Sequence, residues 1–460
     1  MIYDIVILGG GIAGMNCAYQ ILKKTPNAHI LILEKESILG GRIYTAHTRH
    51  MDVEAGAGRF HDGQQHIMKL TQELGLSSRL SKITSTASYA NGSGKIMNSI
   101  LDQPIQAAGW TNLGTQLPSV QPSMMAVADY MFGKENLPNT WLITKIVLAS
   151  YLTPEDTLIN HSLLTFAKTV LNDAEIQLLK DSFGYYSELV LMNAKDALHL
   201  IVAHLSPLHS YYGLTGGLSQ LIQKLESAVL THMNVRIQKK RSVNRIRYIT
   251  WRNEPTFEIK CSDVSTIYYG KKCICALPKQ VVEKIKFFRS LVPTLSNIKC
   301  APLCRIYSKF PIQGNQVWFK GLPKLTSNSP LRMVIPINEQ KGVIMSSYSD
   351  NKFAKYWKGL YDKEGESGVN AELIRLLQKN TGRSVPMPIK TEVYYWECGV
   401  GYWGVGANSA EISKALIQPF GKSVSMFLCG EHYSEKNQQW MEGALETSME
   451  VVCRVLSATR

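Results

Sequence analysis

Gly9, Gly11 and Gly14 stand at GxGxxG spacing, straight after the apolar run Ile5, Val6, Ile7 and Leu8. A short continuous apolar run is the pattern of a buried parallel strand. The three glycines have separate uses there. Gly9 permits a tight turn, Gly11 lets backbone approach a pyrophosphate, and Gly14 lets the next helix pack closely on the strand. That helix is marked by Ala13, Ala18, Ile21 and Leu22 and ends at Lys23-Lys24, before Pro26. A second apolar run, Ile30 to Leu33, ends at Glu34. The helix N-terminus offers N–H donors to phosphates, and the Glu34 carboxylate suits ribose hydroxyls. Strand, helix, second strand and acid in one register make a βαβ dinucleotide-binding fingerprint. The alternative, a glycine-rich turn without a ligand, needs neither the second strand nor its terminal acid.

Gly40-Gly41-Arg42 gives a second close backbone approach and a cation for a phosphate. The stretch LEKESILGGR that contains it resembles the flavin-containing amine oxidase superfamily, with its monoamine oxidase and L-amino-acid oxidase branches. The resemblance implies FAD, with the GGR segment on the pyrophosphate. A second segment carries it independently. Phe427-Leu428-Cys429-Gly430-Glu431 followed by NQQWMEGALETSME is similar to the family's F-x-G-E and its aromatic-hydrophobic-acid-G-A helix start. Such a helix start, with small Gly443 and Ala444, points N–H groups at the electron-rich edge of a reduced flavin.

Carried over residue by residue, the resemblance implies an ordered set of FAD contacts. Gly9, Gly11, Ile12, Ala13 and Gly14 lie in the first turn, and Glu34 and Lys35 at the ribose. Gly41 and Arg42 lie on the phosphates, with Gly56, Ala57, Gly58 and Arg59 along the ring. Val243 would meet adenine through its backbone. Gly430, Glu431, Trp440, Met441, Gly443 and Ala444 close the far side. Tyr402 and Trp440 map onto two facing aromatic walls of an amine cage, with Trp403 the alternative first wall. Arg59 falls where the L-amino-acid oxidase branch binds the substrate carboxylate; a structural salt bridge is the other reading. Tyr402, Trp440 and Arg59 are therefore the expected catalytic set. Gly401 replaces the cysteine that covalent monoamine oxidases carry, so FAD should be non-covalent, with Cys398 a displaced covalent candidate. The usual lysine near flavin N5 has no clean match; Lys299 is nearby and Arg305 closest.

The elements that position these residues follow from pattern. The fold expected is α/β, a discontinuous Rossmann-like FAD-binding domain with an inserted α+β, partly helical substrate domain. Residues 1–85, 206–290 and 415–460 form the first, and 86–205 and 291–414 the second. Helices are expected at Gln64–Leu76, Met124–Met131, Trp141–Ser150, Leu163–Leu171, Ala174–Leu179, Ser187–Leu200, 369–380 and from Asn437. Tyr394 to Trp403 reads as an aromatic-rich turn. Asn91-Gly92-Ser93-Gly94 reads as a hairpin turn.

A net charge of +14 favours acidic partners, and its densest cluster is Arg236, Lys239, Lys240, Arg241, Arg245 and Arg247. No aromatic interleaving accompanies it, so a solvated strand face is preferred to nucleic-acid binding. Nine scattered cysteines without a secretory signal suggest reduced thiols and a soluble intracellular protein. Cys273, Cys275, Cys300 and Cys304 read as packing residues. His199, His204 and His209 lack an acid to complete a metal set, so no metal is expected. No apolar run spans a membrane and no anchor is expected. The activity implied is hydride transfer from an amine or L-amino acid carbon to flavin N5, imine hydrolysis, and reoxidation by O2 to H2O2. A polyamine oxidase, or a desaturase or porphyrinogen-oxidase-like enzyme on the same cofactor fold, is the alternative.

Overall fold

The computed structural model describes residues 2–83, 87–90, 92–94, 96–97, 140–204, 209–262, 264–314 and 316–457. The expected helix Met124–Met131 lies outside them. Two seven-stranded sheets carry the site. The first runs in the order Val235–Gln238, Ile30–Leu33, Ile2–Leu8, Ile267–Cys275, Glu254–Cys261, Val243–Trp251, with Met426–Leu428 also on Ile267–Cys275. Its centre is parallel: Ile2–Leu8 pairs with Ile30–Leu33 on one side and Ile267–Cys275 on the other. These strands read as unbroken apolar runs because both faces are covered. Ile7, Ile30 and Ile32 meet the helices Ile12–Lys24, Ser219–Leu230 and Met441–Ser457; Val6, Leu8 and Leu31 meet Phe257, Phe288 and Trp403. Val243–Trp251, Glu254–Cys261 and Ile267–Cys275 follow one another as an antiparallel meander.

The second sheet runs Lys390–Trp403, Ile298–Lys309, Val343–Asp350, Met333–Asn338, Lys324–Ser327, Ala87–Ala90, Ile96–Met97. The helix Asn351–Thr381 covers one face through Ala354, Trp357, Leu373 and Leu377. The helices between Thr140 and His204 form their own apolar cluster, which takes in Tyr89, Ala301 and Tyr402 of the sheet. Gly92 and Gly94, both at positive φ, turn the chain between Ala87–Ala90 and Ile96–Met97, which pair as a hairpin.

Four local expectations are corrected. Tyr394 to Trp403 is not a turn but the end of a 14-residue strand, Lys390–Trp403, paired along Ile298–Lys309. Ser187–Leu200 is two helices, Tyr186–Leu191 and Ala194–His204. The break is held by Asn193, which caps the second helix and whose backbone N–H reaches Trp403 O. Helix 369–380 begins far earlier, at Asn351, and breaks at Gly365, where φ is 64°. The last helix starts at Met441, so Trp440 stands just before it. Among the described residues no helix is long and apolar enough to cross a membrane.

Candidate cofactor and substrate site

The helix Ile12–Lys24 starts at Gly11 with no side-chain cap, so its first N–H groups face outward unclaimed by a side chain. A Cβ at Gly11 would find only Gly40 O, at 3.9 Å. Gly41 sits at φ 57° with its Cβ direction 3.6 Å from the Gly11 Cα. By contrast a Cβ at Gly14 would lie 2.1 Å from Gly9 O, and Gly9 itself has φ 100°. Gly9 and Gly14 are thus required by the turn and the packing. Gly11 is required by neither, and an open backbone at an uncapped helix start fits a pyrophosphate. Ile12 and Ala13 are buried in the first turn.

Glu34 is buried and accepts from the backbone N–H of Gly10 at 2.7 Å and of Glu36 at 2.9 Å. Lys35, next to it, is exposed and pairs with Glu36 at 3.1 Å. Val243 opens its strand at an irregularity in the pairing with Glu254–Cys261, on the rim beyond Glu34 and Arg241.

Arg42 and Glu431 meet at 2.6 Å. The same guanidinium nitrogen donates to Gly399 O at 3.0 Å and lies 3.2 Å from His432 Nε2. Burial opposes the charge on Glu431, but Arg42, His432 and the N–H groups of Gly401 and Gln439 outweigh it and hold the carboxyl below its ordinary range. Burial, with the Arg42 and Lys279 charges, pushes His432 down to about 4 against Glu431. Gly430, at φ 142°, donates to Thr447 Oγ1 and aims this turn. Met441, Gly443 and Ala444 lie buried in the first turn of Met441–Ser457. Gly443 is sterically fixed, since a Cβ there would lie 2.3 Å from Asn437 O.

Gly56 and Ala57 run against Arg42, and Ala57 N–H donates to Arg42 O at 2.8 Å. A Cβ at Gly58 would come within 3.2 Å of Arg305 Nη1. Arg305 therefore stands beside the glycine segment, donating to Glu54 O at 2.8 Å and lying over the Tyr348 ring at 4.7 Å. Lys299 is elsewhere: its ammonium bonds Ser296 O on the exposed side.

Arg59 lies over the Tyr211 ring at 4.5 Å and forms no ion pair among the described residues. Tyr185 packs edge-on to Tyr348 at 5.9 Å. Directly opposed residues of antiparallel strands share a face, so Arg305, Tyr348, Met333 and Thr326 line one face of the second sheet. Lys324, two residues before Thr326, lines it too. Burial, then the Arg59 charge, pushes Lys324 down to about 7. Tyr185, in electrostatic reach of Arg59, is also in reach of Glu188. Burial and Asp350 push Glu188 up to about 8, while Asp350 accepts from Tyr186 and Ser187 N–H. Lys324, Tyr185, Tyr348 and Glu188 carry no local motif; only strand pairing and the helical insert bring them to Arg59.

Tyr402 is buried under the helical insert and in electrostatic reach of Asp350 and Glu188, which with burial raise its pKa. Trp440 borders the same apolar cluster, but its ring contacts are His204 at 4.8 Å, His61 at 5.6 Å and Tyr211 at 6.4 Å. Tyr402 and Trp440 do not touch ring to ring. Trp403 points away, its indole N–H on Ser434 O, so it is no alternative wall. The Glu442 carboxylate accepts from His66 and Ile67 N–H at 2.9 Å each, tying the last helix to Gln65–Glu73.

Two cysteine and histidine readings change. Cys300 is not a packing thiol: its sulfur is paired with that of Cys398, with 5.3 Å between Cα atoms. Asp62 and His61 join His209, with ligand-type atoms within 4.8 Å. Both His61 ring nitrogens are engaged within the chain, Nδ1 by the Gly63 N–H at 3.2 Å and Nε2 by His204 Nδ1 at 2.7 Å. Cys273, Cys275 and Cys304 are buried free thiols.

The sequence pattern of the family described as flavin containing amine oxidoreductase matches residues 12–456, and the chain belongs to that family of oxidoreductases. Equus caballus amine oxidase [flavin-containing] A is 36% identical over 75 residues, which are 16% of this chain and 14% of that enzyme. A protein of Acanthamoeba polyphaga mimivirus is 21% identical across 99% of this chain and 94% of its own. Cyclohexylamine oxidase from Brevibacterium oxydans IH-35A has the same fold, with TM-score 0.71, 13% identity and full coverage of both chains. Wild-type putrescine oxidase bound to putrescine gives 0.70 at 14% identity over 99% of each chain.

Proposed function

We propose that the protein oxidises the carbon–nitrogen bond of a small amine-bearing substrate with non-covalently bound FAD, and that a carboxylate-bearing substrate, an L-amino acid, is preferred. The single observation behind the preference is Arg59. It is packed on Tyr211 beside Lys324 and Arg305, and none of the three has a carboxylate partner among the described residues. Arg305 is buried, with Glu54 in electrostatic reach, and Arg59 and Lys324 are half-buried; cations so placed without an ion pair favour an anionic ligand. The cofactor would lie along Gly11, Glu34, Gly41, Arg42, the 56–59 segment, Glu431 and the start of Met441–Ser457, between the domains proposed from the sequence. Gly401 offers no thiol, and the Cys398 sulfur is engaged with Cys300, which supports non-covalent binding.

Bound FAD would supply the two-electron chemistry, taking hydride at N5 from the amine-bearing carbon and passing electrons to O2 as H2O2, while the imine hydrolyses. The chain's own residues bind and orient. Arg59 holds the carboxylate in a bidentate pair, which fixes which carbon faces the cofactor. Tyr402 and Trp440 exclude water around the neutral amine. No side-chain base is required, and none is assigned.

A second reading has its own support. Burial raises the pKa of both Glu188 and Asp350, with Arg332 in reach of Asp350, and a second ammonium group, as in a diamine or polyamine, would favour ionisation of Glu188 on binding. Anaerobic bleaching of the flavin band by L-amino acids, monoamines and polyamines separates the readings. Bleaching by amino acids at the lowest concentrations is expected. A yellow protein bleached by none of them would sink amine oxidation and favour a desaturase-like or porphyrinogen-oxidase-like enzyme, and a colourless one the loss of FAD altogether.

A further inference from the structure

We infer that Cys300 and Cys398 form a thiol–disulfide site whose redox state sets how tightly the cofactor cradle holds FAD. The inference rests on the FAD reading above.

The strands Ile298–Lys309 and Lys390–Trp403 pair along almost their whole length, with one interruption. Ala301 faces Val400 and Leu303 faces Trp396, so Glu397, Cys398 and Gly399 bulge out opposite Pro302 alone. Proline has no N–H to offer the ladder there. The bulged residues therefore lack strand partners, and Cys398 at their centre is tied back to Cys300. The Cα separation of 5.3 Å is ordinary for a disulfide.

The bulge faces the cradle. Gly399, next to Cys398, supplies the carbonyl that Arg42 binds at 3.0 Å. Cys398 Sγ lies 3.7 Å from His432 Nε2, which is 3.2 Å from the same Arg42 nitrogen. The Gly399 carbonyl that accepts from Arg42 lies on the bulge, and His432, which abuts the same Arg42 nitrogen, touches the bulge's sulfur. Opening the S–S bond frees the bulge and with it the Gly399 carbonyl.

Two plainer readings are separable from it. A structural staple acts mainly on the unfolded chain, here by closing a loop of 98 residues, and predicts a loss of stability on reduction with FAD affinity unchanged. A metal on Cys300, Cys398 and His432 would place its charge beside the Arg42 guanidinium on the same imidazole nitrogen, which is repulsive.

The chemistry balances with a hydroperoxide as oxidant. Two thiols give up two electrons and two protons, the O–O bond breaks and the S–S bond forms, leaving one water and an alcohol, or two waters when the oxidant is H2O2. The H2O2 of the proposed reaction belongs to this class. A dithiol reopens the pair by exchange and becomes the new disulfide.

The test uses the full holoprotein, treated either with dilute H2O2 or with dithiothreitol. Alkylation and peptide mass count free thiols at Cys300 and Cys398, and the rise in free FAD fluorescence on dilution gives the dissociation constant. The expected result is a pair closed to alkylation after H2O2 and open after dithiothreitol, with FAD held about tenfold more weakly in the open state. Cys300→Ser should show the weaker affinity under both treatments. Cys453→Ser, an exposed free cysteine, should respond as the parent does. Equal affinity in the two states, or both thiols open after H2O2, overturns the inference and leaves the FAD reading standing. A chain that binds FAD in neither state overturns both.

Discussion

In the proposed reading, Arg59 and Lys324 set what the substrate side can hold. Replacing Arg59 with Ala removes a charge-assisted pair of about 1.5–3 kcal/mol. We expect kcat/KM for L-amino acids to fall about tenfold to a hundredfold, with simple amines changed much less. Equal losses would remove Arg59 from carboxylate binding. Lys324 adds a pH signature. Its buried amine titrates at about 7, whereas an unfolded lysine stays protonated to about 10.5. Between those values the unfolded chain binds the extra proton, so stability rises with pH across this window, and the burial penalty is complete below pH 7. Lys324→Met should flatten that rise, gaining stability over the parent at pH 6 and little at pH 10, as urea midpoints would show. At pH 8 a carboxylate ligand should draw a proton onto Lys324, so calorimetry in buffers of different ionisation heat should record proton uptake that the variant lacks.

At the scale of elements, the first βα turn separates two kinds of glycine. Gly14→Ala drives a methyl into Gly9 O and should destabilise the fold by about 2 kcal/mol or more. Gly11→Ala meets open space at φ −74°, so the apoprotein should unfold within about 0.5 kcal/mol of the parent. Its FAD affinity should nevertheless fall at least about tenfold, because the methyl occupies the face offered to the pyrophosphate. If Gly11→Ala keeps full FAD affinity, the cradle lies elsewhere. The helix Asn351–Thr381 shows the limits of local pattern. Its first half carries Gly359 and Gly365 and no clean apolar stripe, and it is packing of Ala354 and Trp357 on the second sheet that makes it helical.

For the whole molecule, the proposed cradle draws on six separated stretches, at Gly11, Glu34, Gly41 and Arg42, residues 56–59, Glu431 and the start of Met441–Ser457, so bound FAD would link the first sheet's turns to the last helix. Cofactor at a hundredfold over its dissociation constant should stabilise the fold by about 2.7 kcal/mol. Thermal unfolding of stripped protein with and without added FAD checks this; no shift would mean no such site. The basic cluster is surface strand, with Lys239 on Glu226 at 2.7 Å and Arg245 on Glu258 at 3.4 Å.

The sequence by itself determined the cofactor half. Gly9, Gly14, Glu34 and the apolar strands around them interact within some forty residues, so periodicity and spacing carry the geometry. Tertiary structure alone decided the proposed substrate half. Lys324 comes to the Arg305 face through three strand pairings, and Glu188 arrives on a helix from the insert. Cys300 meets Cys398 across a bulge 98 residues downstream. A local pattern fixes what neighbours in sequence do, whereas a buried ion, a tyrosine wall or a sulfur pair is set by which distant strands lie side by side.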